Sequence, residues 1–274
     1  MLTQEKTAEL KEFAKQIRVQ TLEQMATRGF GHLGGAMSMV EILSVLYGSQ
    51  MKYDPRNPKW DGRDWLVCSK GHAGPSLYSA LALKGFFPVE ELLTLNQRGT
   101  KLPSHCDRNK TVGIDMTTGS LGQGLSLAAG LAFAHKLRGE ANTVYAIVGD
   151  GELQEGQNWE AMMFSAQRGL DNLIVLVDNN HVQLDGVTAD ISNMESLDAK
   201  FAAFNWDAQR VDGHDLNALD EAIEKAKQQG GKPHAIIADT EKGKGVFWAE
   251  GQFNHHIEVS REAADEAINA ILKQ

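Results

Sequence analysis

Apolar runs alternate with amphipathic stretches through the second half of the chain. Residues 143–148 (TVYAIV) and 172–177 (NLIVLV) are rich in β-branched and aliphatic side chains, which is typical of strands buried on both faces. Residues 206–211 (WDAQRV) and 234–239 (HAIIAD) extend the series, and stretches with helical spacing separate the runs. This alternation predicts an α/β fold, with a parallel sheet, right-handed crossovers and helices on both faces.

Helical spacing of apolar residues also recurs outside this central region. In the first stretch Leu10, Ile17 and Met25 share one face, and Gly29 is predicted to end the helix. Because no internal repeat or Pro/Ser-rich linker interrupts the sequence, we expect a single domain over residues 1–274. The predicted helices are 5–28, 37–50, 75–84, 121–138, 158–168, 216–229 and 260–273.

The composition disfavours several classes of protein. The 274 residues carry 27 basic and 36 acidic side chains, a net charge of −9, and an acidic chain without a basic stripe is a poor ligand for nucleic acid. The N-terminus is polar, unlike a signal peptide, and the most apolar stretch, 125–134, is too short to cross a bilayer. Cys68 and Cys106 lack the spacing of a zinc site. We therefore expect a cytoplasmic globular protein.

One glycine motif is misleading. Residues 29–34 (GFGHLG) match the G-x-G-x-x-G pattern of dinucleotide-binding domains. That pattern works between a strand and a helix, where the helix N-terminus faces the pyrophosphate, whereas here it follows a long helix. We therefore expect no nicotinamide site at these residues.

Polar residues follow two neighbouring predicted strands at their carboxyl ends. Asp150 lies in GDGELQEG (149–156), directly after one strand, and Asn180 lies in VDNN (177–180), just past the next. Taken singly, both motifs are ordinary turn sequences. Together, at the spacing of one crossover, they supply a carboxylate and an amide oxygen at one sheet edge, a set that suits Mg²⁺ or Ca²⁺. Since Mg²⁺ keeps positions for phosphate oxygens, the sequence predicts a site for a metal and a diphosphate.

At this point the chain resembles a known family. A GDG motif followed some thirty residues later by asparagine is similar to the thiamine diphosphate signature, and the surrounding text resembles transketolase. The similar stretches follow the family's order and cover nearly the whole chain. They are GHLGGAMSMVEIL (31–43), SKGHAGPSLYSAL (69–81), LPSH (102–105), DMTTGSLGQGLS (115–126), GDGELQEGQNWEA (149–161), VDNNHVQLDG (177–186), TEKGKG (240–245) and FNHH (253–256).

The resemblance implies the thiamine-diphosphate-binding fold and two cofactors, thiamine diphosphate and Mg²⁺. The implied metal ligands are Asp150, Asn180 and Val182, the last through its backbone carbonyl. Glu155 is assigned to the cofactor site, and with Glu160 to a carboxylate network at the subunit interface. The implied cofactor-binding residues are His72, Gly119, Ser120, Leu121, Gly151, Glu155, Asn180, Lys242 and His255.

Histidines in glycine-flanked loops are the implied substrate-facing groups. By resemblance, His32 and His105 would hold the donor sugar and the transferred two-carbon unit, and His72 and His255 would face the diphosphate and the first hydroxyls. Imidazoles suit this role because ketol transfer moves protons on and off sugar hydroxyls. The other histidines, and the charges of GELQE, are interpreted as structural or solvated. These histidines are His135, His181, His214, His234 and His256.

The length implies a partner. A full transketolase is more than twice as long, so the chain resembles the N-terminal subunit of a split enzyme. The partner chain would carry the pyrimidine-binding and C-terminal domains, with the glutamate that activates the cofactor, and the assembly would hold two copies of each chain. The implied reaction is transfer of a two-carbon ketol unit from a ketose phosphate to an aldose phosphate, in which thiamine diphosphate carries the chemistry.

Three other interpretations stay open. They are an α-subunit of a 2-oxo acid dehydrogenase, a deoxyxylulose phosphate synthase component and a non-catalytic cofactor-binding subunit. One loop also departs from the family pattern. The third histidine usually stands in Gly-His-Pro, whereas here the text is Ser104-His105-Cys106, which changes the backbone options of the loop. The donor sugar could therefore be atypical.

Overall fold

A parallel sheet forms the centre of the computed structural model, which describes residues 2–228, 230–253 and 255–273. The strands are β1 (Phe30–Gly31), β2 (Trp65–Cys68), β3 (Val144–Gly149), β4 (Leu173–Asn179), β5 (Asp207–Asp212), β6 (His234–Asp239) and β7 (Ile257–Glu258). Strands β2 to β6 form one sheet in the order β2-β3-β4-β6-β5, and every pairing in it is parallel. The predicted α/β fold with a parallel sheet is confirmed.

Helices cover both faces of this sheet, as predicted. They are α1 (Gln4–Arg28), α2 (Leu33–Ser38), α3 (Val40–Val45), α4 (Gly74–Leu83), α5 (Gln123–Arg138), α6 (Gly156–Gln167), α7 (Thr188–Ser192), α8 (Leu197–Ala203), α9 (Leu216–Gln228) and α10 (Arg261–Leu272). Among the described residues, none of these helices has both the length and the apolar character needed to span a membrane.

The central strands are apolar throughout because each of their faces is buried. In β3, Val144, Ala146 and Val148 point to a core shared with α5, α6 and α8, whereas Tyr145 and Ile147 point to the larger core formed with α1 to α4, α9 and α10. Successive side chains of a strand face opposite sides of the sheet. A strand covered on both sides therefore reads as a continuous apolar run.

The predicted helix over 37–50 is wrong in its boundaries. Helix α2 begins earlier and ends at Ser38, α3 follows at Val40, and residues 46–50 form a π-helical turn. The Ser38 hydroxyl donates to the carbonyl of Gly35 at 3.2 Å and to Asp178 at 2.6 Å. A serine that bonds its own backbone competes with a regular helix, and here it also fixes this segment to the end of a central strand.

The glycine-rich region after residue 241 contains a strand that the sequence pattern did not indicate. Strand β7 pairs antiparallel with β1, and Gly31 lies opposite Ile257. Gly29, with φ of 90°, ends α1 as predicted and turns the chain into β1. This two-stranded sheet brings residues from opposite ends of the chain together beside the carboxyl edge of the central sheet.

Candidate active site

The sheet topology places the predicted metal ligands at one edge. Gly149, at the end of β3, pairs in register with Asp178 of β4, so Asp150 and Asn180 both follow the carboxyl ends of adjacent strands. Asp150 is buried, and its Oδ2 accepts hydrogen bonds from the His181 amide at 2.9 Å and the Thr188 hydroxyl at 3.0 Å. Burial and the nearby Asp178 carboxylate raise the pKa of Asp150. A cation beside this carboxylate would offset both effects.

Asn180 is oriented by the groups beneath it. Its Nδ2 donates to Asp178 Oδ2 at 3.1 Å and to Ser38 Oγ at 3.4 Å, while its Oδ1 accepts from the amide of Val182 at 3.2 Å. The Asn180 side-chain amide carries one oxygen acceptor and one nitrogen donor, and these partners decide which way the amide is oriented. With the nitrogen bonded inward, the oxygen is the atom available to a metal.

Asp178 organises the floor of this region and was missed in the sequence analysis. Its fully buried carboxylate pairs with the Lys70 ammonium and accepts hydrogen bonds from the hydroxyls of Ser38 and Thr240, at 2.6 and 2.5 Å. Burial opposes its ionisation, but Lys70 and these hydrogen bonds outweigh that effect and lower the pKa of Asp178. The sequence did contain a signal for Asp178, because a charged residue inside an apolar strand and next to a predicted metal ligand indicates a buried, compensated charge.

Lys242 lies beside the predicted metal ligands. Its Nζ donates to the backbone carbonyl of Val182 at 3.0 Å, the oxygen predicted to bind the metal. Burial, with a further contribution from Lys70, lowers the pKa of Lys242 to about 8. Gly151 allows a close approach in the same loop region, since a Cβ there would lie 2.9 Å from the Cβ of Gln183. We call Asp150, Asp178, Asn180, Val182 and Lys242 the metal edge.

The interpretation of the GELQE charges as solvated is wrong for Glu152. This side chain is buried, with Oε1 accepting from Ser69 Oγ at 2.5 Å and from the Gly122 amide at 2.9 Å, and Oε2 accepting from the Gly149 amide at 3.0 Å. Burial raises the pKa of Glu152. The carboxylate thus ties the GDG turn to β2 and to the start of α5, contacts that lie far away in sequence.

The other predicted residues of these loops face outward. Gly119 has φ of 149°, in the region that favours glycine, and Ser120 and Leu121 follow it on the exposed surface. Glu155 and Glu160 are exposed as well. Their backbone and side chains are available to a ligand or to another chain.

Five histidines from four separate segments gather next to the metal edge. The ring centroid of His32 lies 5.5 Å from that of His72, 5.3 Å from His105, 5.2 Å from His255 and 4.7 Å from His256. His72 and His255 are also in contact, at 4.8 Å. The structure thus brings together all four histidines that the sequence singled out. We call these five residues the histidine cluster.

His256 is a surface residue, as interpreted from the sequence, and it also lies against the other histidines. Its side chain is exposed, yet its ring lies close to that of His32 and 5.2 Å from that of Phe30. The remaining histidines lie outside the cluster: His135 contacts Glu140, and His214 contacts Glu41.

Four imidazoles of the cluster, those of His32, His72, His105 and His255, are held neutral. Burial, followed by His255, His256 and His105, lowers the pKa of His32 to about 3. Burial, followed by Lys242 and Lys70, lowers the pKa of His255 to about 4. Burial also lowers the pKa of His105, and with Lys70 that of His72. A neutral imidazole both donates and accepts a hydrogen bond, which suits recognition of sugar hydroxyls.

The site fits a hard cation and a diphosphate. The metal edge offers a carboxylate, an amide oxygen and a carbonyl oxygen, the ligand type of Mg²⁺. Lys242 adds buried positive charge beside it, which suits a diphosphate, while Lys70 compensates the Asp178 carboxylate beneath. Among residues 2–228, 230–253 and 255–273, no three His, Cys, Asp or Glu side chains are arranged to hold a metal ion, so the histidine cluster does not form such a centre.

A separate cavity lies away from these residues. A volume of about 650 Å³ between α1 and α9 is lined by residues that include Arg18, Glu41 and His214. These three side chains bond one another: Arg18 Nη2 and His214 Nδ1 each contact a Glu41 carboxylate oxygen, at 2.6 and 2.9 Å. Because the Arg18 and His214 side chains already bond to the Glu41 carboxylate, the metal edge and the histidine cluster remain the candidate site.

Comparison with known proteins agrees with this geometry. The family model described as the thiamine diphosphate binding domain of transketolase matches residues 10–268. A Clostridium protein named 6-deoxy-6-sulfo-D-fructose transketolase subunit is 49% identical over 98% of both chains. A protein of Actinobacillus succinogenes, named as a subunit of apulose-4-phosphate transketolase, is 40% identical over 92% of both chains.

Solved transketolases share the fold over their first part. The enzyme from Campylobacter jejuni superposes with a TM-score of 0.89 and 32% identity over 98% of this chain, and that from Leishmania mexicana with 0.89 and 31% over 96%. The chain spans only 43% and 40% of those two proteins. Human transketolase is 38% identical, and 43% of its length is covered. The chain therefore belongs to the transketolase family, as its thiamine diphosphate binding domain.

Proposed function

We propose that the chain is one half of a thiamine-diphosphate- and Mg²⁺-dependent enzyme that transfers a two-carbon ketol unit from a ketose to an aldose. The observation that carries the proposal is the proximity of two differently built regions, since Lys242 of the metal edge is close enough to His255 to lower the pKa of its ring. The metal edge offers oxygen ligands and one buried lysine, and the histidine cluster beside it offers neutral imidazoles. A domain that only stored a cofactor would have no use for the second region.

The metal edge would hold the cofactor by its diphosphate. Asp150, Asn180 and the carbonyl of Val182 would bind Mg²⁺, and Lys242 would contact the phosphate oxygens. Thiamine diphosphate, when bound, supplies the stabilisation of a carbanion that amino acid side chains lack. Gly119, Ser120 and Leu121 would contact the aminopyrimidine through an exposed backbone.

The histidine cluster would bind the sugar. His32 and His105 would hold the hydroxyls of the donor and of the transferred two-carbon unit, and His72 and His255 would lie nearer the diphosphate. Because burial keeps the pKa of His32 near 3 and that of His255 near 4, both rings remain neutral at pH 7. Neutral rings can donate a hydrogen bond to one sugar oxygen and accept a proton from another.

The remaining half of the site would come from a partner chain. Two similar proteins of nearly the same length are named as transketolase subunits, and the chain spans about two-fifths of solved full-length enzymes. We propose a partner with the pyrimidine-binding and C-terminal domains, two copies of each chain in the assembly, and exposed Glu155 and Glu160 at the interface.

The donor would be a ketose with a terminal anionic group. The similar Clostridium protein is named for 6-deoxy-6-sulfo-D-fructose, and the Actinobacillus protein for apulose 4-phosphate. At 49% identity over nearly full length, the first name makes a sulfonated ketose the first donor to test. The Ser104-His105-Cys106 loop, beside a proposed donor-binding ring, supports a departure from the ordinary donor.

The test is a coupled aldehyde-release assay on this chain alone, on the partner alone and on the mixture. The partner would be taken from the neighbouring reading frame that encodes a pyrimidine-binding domain. We expect turnover only in the mixture, with thiamine diphosphate and Mg²⁺ present, and we would compare 6-deoxy-6-sulfofructose with xylulose 5-phosphate. Robust turnover by this chain alone would contradict the split site. A mixture that binds thiamine diphosphate but transfers no ketol unit from any donor would contradict the reaction.

A further inference from the structure

We propose that His256 is a specificity-determining residue, which contacts the part of the donor ketose beyond the two carbons that are transferred. The inference rests on the proposed function and extends it to a histidine to which the resemblance assigns no role. Three observations carry it: the strand register beside the site, the ring contact with His32, and the exposure of the side chain.

The register of the small sheet accounts for the contact. In the pairing of β1 with β7, Gly31 lies opposite Ile257. His32 directly follows Gly31, and His256 directly precedes Ile257, so the two histidines lie opposite each other at the next cross-strand position. Directly opposite residues of an antiparallel pair have Cβ atoms about 5 Å apart. The ring centroids of His32 and His256 are 4.7 Å apart and nearly perpendicular, at 71°.

His256 lies at the outer end of the cluster. His32, His72, His105 and His255 are partly buried, whereas His256 is exposed. The ring of His32 contacts the rings of all four other histidines, and that of His72 contacts His32 and His255. The cluster therefore runs from His72, beside Lys70 and the metal edge, through His32 to His256 at the surface.

This order gives His256 a defined part of the substrate. In the proposed reaction the bond that breaks joins the transferred two carbons to the rest of the sugar, and the reacting end must reach inward to the cofactor. The remainder of a five- or six-carbon ketose then extends toward the exposed end of the cluster. An imidazole there can donate to or accept from a distal hydroxyl, and the effect would depend on the donor's length and configuration.

The chain also supplies a matched control. Glu258 is exposed and lies in β7, two residues from His256. A substitution of Glu258 by Gln changes the same strand without touching a ring of the cluster. His256→Asn keeps a hydrogen-bonding group of similar reach and tests whether the interaction, and not packing on Phe30, is responsible.

The experiment uses the assembled enzyme and two kinds of donor. Wild type, His256→Ala, His256→Asn and Glu258→Gln are assayed with 6-deoxy-6-sulfofructose and xylulose 5-phosphate, and with hydroxypyruvate, a three-carbon ketol donor without a distal chain. For His256→Ala we expect kcat/KM on the sugar donors to fall about tenfold, mainly through KM. Turnover of hydroxypyruvate and the Kd of thiamine diphosphate should stay within a factor of about two. Asn should restore part of the loss, and Glu258→Gln should resemble wild type.

Two results would overturn the inference. An equal loss with hydroxypyruvate would make His256 a general structural or catalytic group, and unchanged kinetics on every ketose would remove it from the site. Wild-type assembly that binds thiamine diphosphate but transfers no ketol unit would overturn the proposed function, and this inference with it. That outcome is distinct because it appears before any variant is compared.

Discussion

The metal edge and the histidine cluster lie side by side, with Lys242 acting on the pKa of His255, but they are stabilised in different ways. At the metal edge the buried Asp178 carboxylate is compensated within the protein: Lys70 pairs with it, and hydroxyls of Ser38 and Thr240 complete its hydrogen bonds. In the histidine cluster His32, His72, His105 and His255 are kept uncharged, because burial lowers the pKa of each of these rings.

The two regions also differ in how the chain builds them. Asp150 and Asn180 each lie one residue beyond a strand of the central sheet, so the sheet fixes their separation. The histidines come from the β1–α2 junction, a 3₁₀ turn, the 104–106 loop and the approach to β7. The metal edge is therefore positioned by the central sheet, whereas the histidine cluster is positioned by loops and junctions around it. Substitutions in the first region should affect cofactor binding, and at the buried Asp178 carboxylate folding as well, whereas those in the second should affect mainly turnover.

The largest effect is expected from the buried ion pair. Lys70→Met leaves the Asp178 carboxylate buried without its cation and should lower the free energy of unfolding by about 3–5 kcal/mol. The double variant Lys70→Met/Asp178→Asn removes both charges and should recover much of that loss. Urea unfolding of wild type, both single variants and the double variant gives the coupling energy. Additive losses in the double variant would show that the pair does not organise the metal edge.

The next effect concerns cofactor binding. Asp150→Ala removes the charged ligand of the proposed metal site, and Mg²⁺-dependent binding of thiamine diphosphate by the assembly should weaken by about 100-fold or more, roughly 3 kcal/mol. Folding should be preserved, because Asp150 lies after a strand and its burial beside Asp178 is unfavourable. The exposed Asp185 in the next loop offers a matched control, Asp185→Ala. Unchanged affinity of Asp150→Ala by calorimetry would remove the metal assignment.

At His105 we expect a smaller effect, and it should fall on turnover and not on cofactor binding. His105→Ala should reduce kcat/KM for ketol transfer by about 10- to 100-fold, the range of one hydrogen bond to a reacting group. The Kd of thiamine diphosphate should change by less than about threefold, since His105 touches no residue of the metal edge by ring contact or hydrogen bond within the described part of the chain. Wild-type turnover on every ketose tested would reject the role of His105 and, with it, the contrast between the regions.

The same contrast explains how much the sequence could predict. Parallel strands end at one edge, so the motifs around Asp150 and Asn180 were enough to bring the two residues together. Glu152 was misjudged because a charged loop reads as solvated, whereas Ser69 and the Gly122 amide bury it from a distance in sequence. Local pattern contains no information about such partners.

The position of His256, on the other side of the site, also depends on partners that are distant in sequence. Its position depends on the pairing of β1 with β7, two strands of two residues each, from opposite ends of the chain. Strands so short have no periodicity to detect. The resemblance assigned roles to four histidines of the cluster; His256 stands in the same stretch as His255, but only the register of this pairing places its ring against that of His32. The motifs therefore predicted the type of chemistry at the site better than the full set of residues that line it.

The smallest expected effect is on the pH dependence of folding, and it isolates the histidine cluster. The pKa of His32 is about 3 in the folded chain against 6.5 for an ordinary histidine, so the unfolded state binds more protons as the pH falls below 6.5. Stability contributed by the neutral ring is therefore present above pH 6.5 and is lost progressively toward pH 3. At pH 5 the loss should be about 1 kcal/mol for this residue, after discounting for solvent screening. Urea unfolding at pH 7.5 and pH 5 should show a smaller difference for His32→Asn than for wild type. An identical difference in the two proteins would mean that His32 is not held neutral by the fold, and that the cluster lacks the property that separates it from the metal edge.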